Sequence, residues 1–370
     1  MNKKPTFSTH RYLIQSIDPV HIGTGGMRLG RVDNSIVREP GTKLPKIPGT
    51  SLSGAIRSYA AYRYGKRSCA GQKGHCGNSS CPICYTFGSI SGDSKEGNGQ
   101  NNYAGVVSIG DARIILFPVY SMAGPVWVTS PTALEDFCTQ KFKVSENKAK
   151  MTSGLSNHKY LNLGWLMVER DREDEGKLTL DDLPPDIPAS VKDRIVLISD
   201  KLFSRVVNSN LEVRTSVSID PKTGAAEEGA LFTYEAIPRA AFLWLDVVVD
   251  DYRDCKLWQN NGVTWKAYKE ETGQPNGGKK VTWHDNDQKA GPLYPDHKNK
   301  QKGWCEAADV ITAGLEWTEH LGIGGMGTRG FGRIRKVAAG MMDTENKISW
   351  DSSSTSDCTD SSAGGEMNDG

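Results

Sequence analysis

The chain has 370 residues, a net charge of +1 and a mean hydropathy of −0.49. No apolar run approaches the ~20 residues of a membrane-spanning helix, and the first nine residues lack the apolar stretch of a secretory signal. A cytoplasmic protein without membrane contact is expected. The near-neutral total hides an asymmetry. Residues 1–90 hold thirteen Lys and Arg against three acids (Asp18, Asp33 and Glu39), whereas residues 342–370 hold seven acids and one base, Lys347. A basic segment of this kind is the electrostatic footprint of a polyanion partner.

Residues 12–17 predict a first strand, closed by Asp18-Pro19 and followed by the glycine-rich His21-Ile22-Gly23-Thr24-Gly25-Gly26. Residues 32–48 are irregular. Within Arg31-Val32-Asp33-Asn34-Ser35-Ile36-Val37-Arg38-Glu39, Asp33 is an isolated carboxylate among bases. A salt bridge to Arg31 or Arg38 is the commoner explanation; binding a divalent ion, or proton transfer at a phosphodiester, is the functional one. Gly49-Thr50-Ser51 marks a helix start with Ser51 as N-cap, and Leu52, Ala55, Ile56 and Tyr59 give a helix over 52–63 its apolar face. The hydroxyls of Ser51 and Ser53, the free N–H groups there and Arg57 one turn on suit a phosphate, although an ordinary capped helix also accounts for them.

Four of the eight cysteines, Cys69, Cys76, Cys81 and Cys84, follow one another as Cys-x6-Cys-x4-Cys-x2-Cys. Four thiolates complete a tetrahedral zinc and leave no open position, so a structural Zn2+ is expected in an insertion over 66–90. His75 could replace Cys76 as ligand, and unconnected thiols in a loop are the alternative. Two strands are expected around Gly110-Asp111 within 106–119, and a short helix over 133–142. Val213, Thr215, Val217 and Ile219 alternate before the turn Asp220-Pro221-Lys222-Thr223-Gly224, and the chain returns as a strand at 230–235. A buried strand follows at 242–249, then a polar insertion at 256–302 and a helix over 306–320.

Residues 321–335 contain six glycines in eleven residues, Gly324, Gly325 and Gly327 among them, with Arg329, Arg333 and Arg335. Such a loop exposes N–H groups to a phosphate chain, and Phe331 could stack on a base. It lacks the Gly-Lys-Ser/Thr of an ATP-binding loop and follows a helix rather than a strand, which argues against a dinucleotide fold. A tight strand connection is the simpler explanation. A serine-rich, disordered acidic tail is expected over 341–370. Strands interleaved with a few helices indicate one α+β domain over 1–340.

Taken in order, these segments resemble the RAMP superfamily of CRISPR proteins, and most of all the backbone RNase subunit of type III-B (Cmr) effector complexes. The resemblance is carried by His21-Ile22-Gly23-Thr24-Gly25, by Val32 through Glu39, and by Ile47-Pro48-Gly49-Thr50-Ser51-Leu52-Ser53-Gly54-Ala55-Ile56-Arg57. Ser108-Ile109-Gly110-Asp111-Ala112-Arg113, Gly229-Ala230-Leu231-Phe232-Thr233-Tyr234-Glu235 and Ile323-Gly324-Gly325 continue it. It implies a ferredoxin-like (RRM-type) core with a β-hairpin thumb, for which 212–232 and 142–200 are the candidates. It also implies copies stacked along a guide RNA beside other type III effector subunits, with target RNA paired to the guide. Cleavage of that target would use a divalent metal such as Mg2+ or Mn2+ and centre on Asp33, with His21 and Glu235 assisting. The implied products are a cyclic phosphate and a 5′-hydroxyl. Arg38, Lys46, Ser51, Ser53 and Arg57, with Gly324, Gly325, Gly327, Arg329 and Phe331, would bind RNA. Cysteines between the first helix and Phe87-Gly88 depart from type III-B. A non-catalytic guide scaffold and a guide-precursor-processing RNase are the alternatives.

Overall fold

Alternation along the first strand, β1 (Phe7–Ser16), sets the layers of the molecule. Tyr12 and Ile14 face one apolar core, Leu13 faces a second, and all three are buried. A strand covered on both faces must lie inside a sheet with packed layers above and below. The computed structural model describes residues 7–25, 32–71, 75–76, 81–90, 102–138, 140–171, 178, 180, 182–250, 252, 306–343 and 347–351.

The remaining strands are β2 (Lys46–Ile47), β3 (Gly88–Ser89), β4 (Tyr103–Ala104), β5 (Val107–Ile109), β6 (Ala112–Val119), β7 (Val126–Thr129), β8 (Lys148–Met151), β9 (Tyr160–Leu163), β10 (Leu166–Arg170), β11 (Ile195–Ile198), β12 (Glu212–Ile219), β13 (Ala226–Ala236), β14 (Phe242–Asp250), β15 (Ile334–Met342) and β16 (Ile348–Trp350). The α-helices are α1 (Gly49–Arg63), α2 (Pro82–Phe87), α3 (Pro131–Glu135), α4 (Ala189–Lys192), α5 (Asp200–Ser209) and α6 (Ala307–Leu321).

The centre of the large sheet runs β15-β1-β14-β6, with antiparallel neighbours throughout. In chain order the same elements read β1-α1-β6-β14-α6-β15, which is the βαββαβ arrangement of a ferredoxin-like core. Helices α1 and α6 pack against each other and contribute Leu52, Ile56, Val310, Ile311 and Leu315 to the core that also holds Tyr12 and Ile14. They approach so closely that a Cβ on Gly314 would collide with the Ile56 carbonyl. Beyond β6 the sheet continues through β7, β11, β8, β10 and β9. The 142–200 region is therefore woven into the sheet. Strands β12 and β13 instead form a separate two-stranded hairpin, with Val213, Val217, Ile219 and Leu231 exposed along it.

Three expectations need correction. Ser51 does not cap α1: the helix begins at Gly49 behind Pro48, and its first N–H donates to Asp111 Oδ1 at 2.8 Å. A carboxylate from another segment does the work of a local cap. The helix expected over 133–142 spans only Pro131–Glu135, because Ser130 caps it early and Phe137 and Cys138 turn into the core. The acidic tail does not begin at 341. Strand β15 reaches Met342, and β16 adds an edge strand whose Trp350 ring stacks on Phe137 at 5.5 Å. Apolar Ile348 and Trp350 among the acids supply that anchoring. The insertion at 256–302 and residues 352–370 lie outside the described residues.

Candidate active site and cysteine cluster

Three segments far apart in sequence meet beside the inner end of the hairpin. Single bridges join Val20 to Ile237, Gly23 to Ile36 and Asn34 to Tyr234. The last places residues 33–35 parallel to β13, with Asn34 N–H donating to Thr233 O and Glu235 N–H to Asn34 O, both at 3.0 Å. Asp33 ends this short edge. The Thr233 N–H (2.8 Å) and hydroxyl (2.7 Å) both donate to Asp33 Oδ2, while the same hydroxyl accepts the Asp33 N–H at 2.9 Å. No bond to Oδ1 is found among the described residues. The Thr233 backbone N–H, and after it the hydroxyl, hold the Asp33 carboxyl below the usual carboxylate range. Asp33 forms no ion pair among the described residues, so a bridge to Arg38 is excluded; Arg31 lies outside them.

Arg38 pairs instead with Glu235, Nη2 to Oε1 at 2.6 Å. Its Nε donates to Asn208 Oδ1 at 2.8 Å and its Nη1 to Ile36 O at 3.0 Å. Each guanidinium nitrogen is engaged, and Arg38 ties β13, α5 and the 36–38 segment together. Glu235 is buried, and its second oxygen accepts the Ile36 N–H. His21 is buried on the other side of this strand: Nδ1 lies 2.6 Å from Glu235 O. A carbonyl can only accept, so Nδ1 donates, and in the neutral ring Nε2 keeps its lone pair. Gly23 leaves that nitrogen room, since a Cβ there would sit 3.1 Å from it. Tyr234 meets the imidazole edge-on, with centroids 5.8 Å apart.

The late glycine loop closes over His21. Gly325 N–H donates to His21 O at 3.0 Å, and Gly324 adopts φ +78°, where a Cβ would lie 2.5 Å from that same oxygen. Gly327 and Arg329 are exposed on a 3-10 turn. Phe331 is not: it is 3% exposed, and the Arg214 guanidinium covers its ring at 4.8 Å. Stacking on a base is corrected to a packing role, because the ring is buried and covered by Arg214.

At the start of α1, Lys46 Nζ meets Asp111 Oδ2 at 2.5 Å. Asp111 thus neutralises Lys46 and the helix terminus together. Burial raises its pKa, but the Lys46 and Gly49 hydrogen bonds outweigh this, and the net shift is downward. Ser51 and Ser53 are half-buried nearby. Arg57 points elsewhere: Nε donates to Cys69 O at 2.9 Å, and Nη2 reaches Gly88 O at 3.0 Å and His75 Nδ1 at 2.7 Å. Thr233, Asp111, Asn208 and Tyr234 were missed as site residues. Thr233, Tyr234 and Asp111 fall inside the quoted motifs, whereas Asn208 carries no sequence signal.

Cys69, Cys76, Cys81 and Cys84 converge with their sulfurs within 4.8 Å of one another. The Cys76–Cys84 and Cys69–Cys84 separations are 3.7 Å, and Cys69–Cys81 is 3.9 Å. Zinc–sulfur bonds of ~2.3 Å in a tetrahedron give edges of about 3.8 Å, so the geometry fits a metal ion. Cys69 ends a 3-10 turn after α1, Cys81 precedes Pro82 at the start of α2, and Cys84 lies within α2. His75 bonds Arg57, so Cys76 supplies the fourth sulfur. Among the described residues this is the only group of three or more His, Cys, Asp or Glu placed to share a metal.

The sequence profile of the RAMP superfamily matches residues 13–335. The chain belongs to the RAMP superfamily. This RAMP chain is 27% identical over 256 residues to the CRISPR system Cmr endoribonuclease Cmr4 of Pyrococcus furiosus, covering 64% of this chain and 80% of that protein. Over 82 residues it is 38% identical to the CRISPR system Cms endoribonuclease Csm3 of Methanothermobacter thermautotrophicus, which is 22% of this chain and 32% of that one. The crystal structure of oligomeric Cmr4 from Pyrococcus furiosus shares its fold, with a TM-score of 0.51 at 18% identity, covering 90% of this chain and 98% of that one. No helix among the described residues is long and apolar enough to cross a membrane.

Proposed function

We propose that this RAMP chain is a backbone subunit of a type III-B-like CRISPR effector complex that binds guide RNA and cleaves the paired target RNA at Asp33. The observation that carries this is the Asp33 carboxylate, with one oxygen held twice by Thr233 and the other without a partner among the described residues. Two relatives named as endoribonucleases support RNA cleavage as the reaction, and an oligomeric relative supports stacking of copies. The β12–β13 hairpin, free of the main sheet, is the thumb that would disturb the guide–target duplex.

The reaction is transesterification within the target strand. A ribose 2′-oxygen attacks the adjacent phosphorus, the P–O5′ bond breaks, and a 2′,3′-cyclic phosphate and a 5′-hydroxyl remain. The attacking hydroxyl must lose a proton and the departing oxygen must gain one. His21 Nε2, whose lone pair is kept free by the bond from Nδ1 to Glu235 O, is the base the chain presents for proton transfer. Glu235 positions rather than reacts, since both its oxygens are bonded. Asp33 Oδ1 is the oxygen available to a divalent ion such as Mg2+ or Mn2+; a single protein carboxylate suits an ion that keeps its waters and takes phosphate oxygens. When bound there, such an ion would stabilise charge developing on the phosphate. The four cysteines would hold a Zn2+ in a structural role, since four thiolates complete its ligand set.

The test is reconstitution with guide RNA, complementary target RNA and the other effector subunits. Asp33→Asn should abolish target cleavage while guide binding stays at the wild-type level. Cleavage that persists in Asp33→Asn overturns the assignment.

A further inference from the structure

No Asp or Glu occurs in the chain between Glu39 and Asp93, whereas α1 and the cysteine segment carry Arg57, Arg63, Lys66, Arg67 and Lys73. Most of these cations have a destination away from the sulfurs. Arg63 pairs with Glu316 at 2.7 Å. Arg67 lies over the Tyr62 ring at 5.5 Å and Lys66 over the Tyr64 ring at 6.0 Å. Lys73 lies outside the described residues. Arg57 differs from them. It is half-buried, and among the described residues it pairs with no carboxylate. A cation partly withdrawn from water needs a counter-charge.

The Arg57 side chain is held by three hydrogen bonds, all to the cysteine segment. Nε donates to Cys69 O at 2.9 Å and Nη2 to Gly88 O at 3.0 Å. Cys69 follows α1 and Gly88 ends α2, so one planar group joins the two ends of the segment that carries the cluster. Nη2 also donates to Nδ1 of His75, the residue before Cys76, at 2.7 Å. A guanidinium can only donate, so all three partners accept. The guanidinium carbon stands 5.9 Å from the centre of the Phe87 ring, and the Cys84, Cys69 and Cys81 sulfurs lie within its electrostatic reach.

We infer that Arg57 is the positioning residue of the cysteine metal centre, supplying the positive charge that a four-thiolate site requires and tying its Cys69 and Gly88 ends together. The inference rests on the zinc reading of the four cysteines and deepens it. Four thiolates around Zn2+ make a dianion. Cys69, Cys81 and Cys84 are buried and only Cys76 is exposed, so much of that charge is withdrawn from water. A neighbouring cation offsets the desolvation. Arg suits the task because its planar fork is weakly hydrated and always charged. A cation without an anion and an anion without another cation thus meet at one place. Groups that orient a metal's ligands from outside are typically worth ~10–100-fold in metal affinity.

The test measures the zinc affinity of the full chain by competition with a chromogenic chelator. Arg57→Gln keeps donors for the two carbonyls and removes the charge; it should weaken zinc binding by about tenfold or more. Arg57→Lys keeps the charge and loses the fork; it should stay within about threefold of wild type, a small part of the usual outer-ligand effect. Co2+ loaded in place of zinc should give the same thiolate absorption bands in all three chains, so that the ligand set is intact and only its affinity has moved. Equal zinc affinity in wild type and Arg57→Gln, or an Arg57→Lys chain as weak as Arg57→Gln, overturns the inference and leaves the zinc reading standing. Wild-type protein that binds no zinc and gives no thiolate bands with Co2+ overturns both. Where Arg57→Gln does not fold, Arg57→Lys decides alone: affinity near that of wild type supports the role of charge, and a loss of about tenfold removes it.

Discussion

Thr233 clasps a single oxygen of Asp33 through its N–H and its hydroxyl, across 200 residues of chain. The two donors stabilise the ionised carboxylate, so its pKa lies below the usual range. A group held ionised in this way stays charged as pH falls until its own lowered pKa is reached. Thr233→Val removes the hydroxyl but keeps the N–H, and part of the depression is lost. The acid limb of the pH–rate profile for target cleavage should therefore move to higher pH in Thr233→Val and return in Thr233→Ser. Superimposable profiles for Val, Ser and wild type would show that the hydroxyl has no such role.

Arg38 and Glu235 form a largely buried pair. Removing one partner leaves an uncompensated charge, which typically costs about 3–5 kcal/mol. Arg38→Ala should lower unfolding stability by about 3 kcal/mol, measured by denaturant titration. The double variant Arg38→Met, Glu235→Gln should recover much of the loss, because no buried charge is then stranded.

The cysteine geometry predicts one zinc per chain by elemental analysis of the purified protein. Cys81→Ser with Cys84→Ser should lose the metal. It should also loosen the end of α1, because Arg57 is bonded to Cys69 O and Gly88 O on either side of the cluster. Hydrogen exchange over 57–69 reports this directly, and protection unchanged without metal would contradict the linkage.

Gly324 combines a left-handed φ with close approach to the His21 carbonyl. Gly324→Ala introduces strain of about 1–3 kcal/mol at the backbone that covers His21. Thermal unfolding should register this as a lowered midpoint, and cleavage should fall with it, whereas alanine at exposed Gly327, which has no close neighbour and no positive φ, should leave the midpoint in place.

What the sequence disclosed was local. The α1 and α6 patterns, the hairpin turn at 220–224, the cysteine spacing and the oddity of Asp33 among bases are all visible within windows of a few residues. What it concealed was tertiary. Arg38 reads in the sequence as a lone cation, and its pairing with Glu235 and Asn208 is invisible there. Phe331 looks available to a base until Arg214 lies over it. Ser51 has the chemistry of a cap, yet Asp111 reaches the helix end first. Trp350 sits in an acidic run that reads as tail, yet it pairs with Gly340 at the edge of the sheet and its ring stacks on Phe137. Each miss pairs residues whose proximity no local pattern encodes.

The position of β1 has a consequence for how the molecule is made. Its hydrogen-bonding neighbours are Phe242–Asp250 on one side and Ile334–Met342 on the other. A ribosome adding ~5–20 residues per second needs roughly 20–60 s to deliver both after β1 has emerged. Throughout that interval the apolar central strand has both edges open, a state prone to pairing with other chains. The final closure of the sheet joins the two ends of the described chain and is non-local, hence slow. A nascent chain that still lacks β15 therefore cannot present a finished sheet. Yields of soluble protein should therefore depend on chaperone supply and growth temperature.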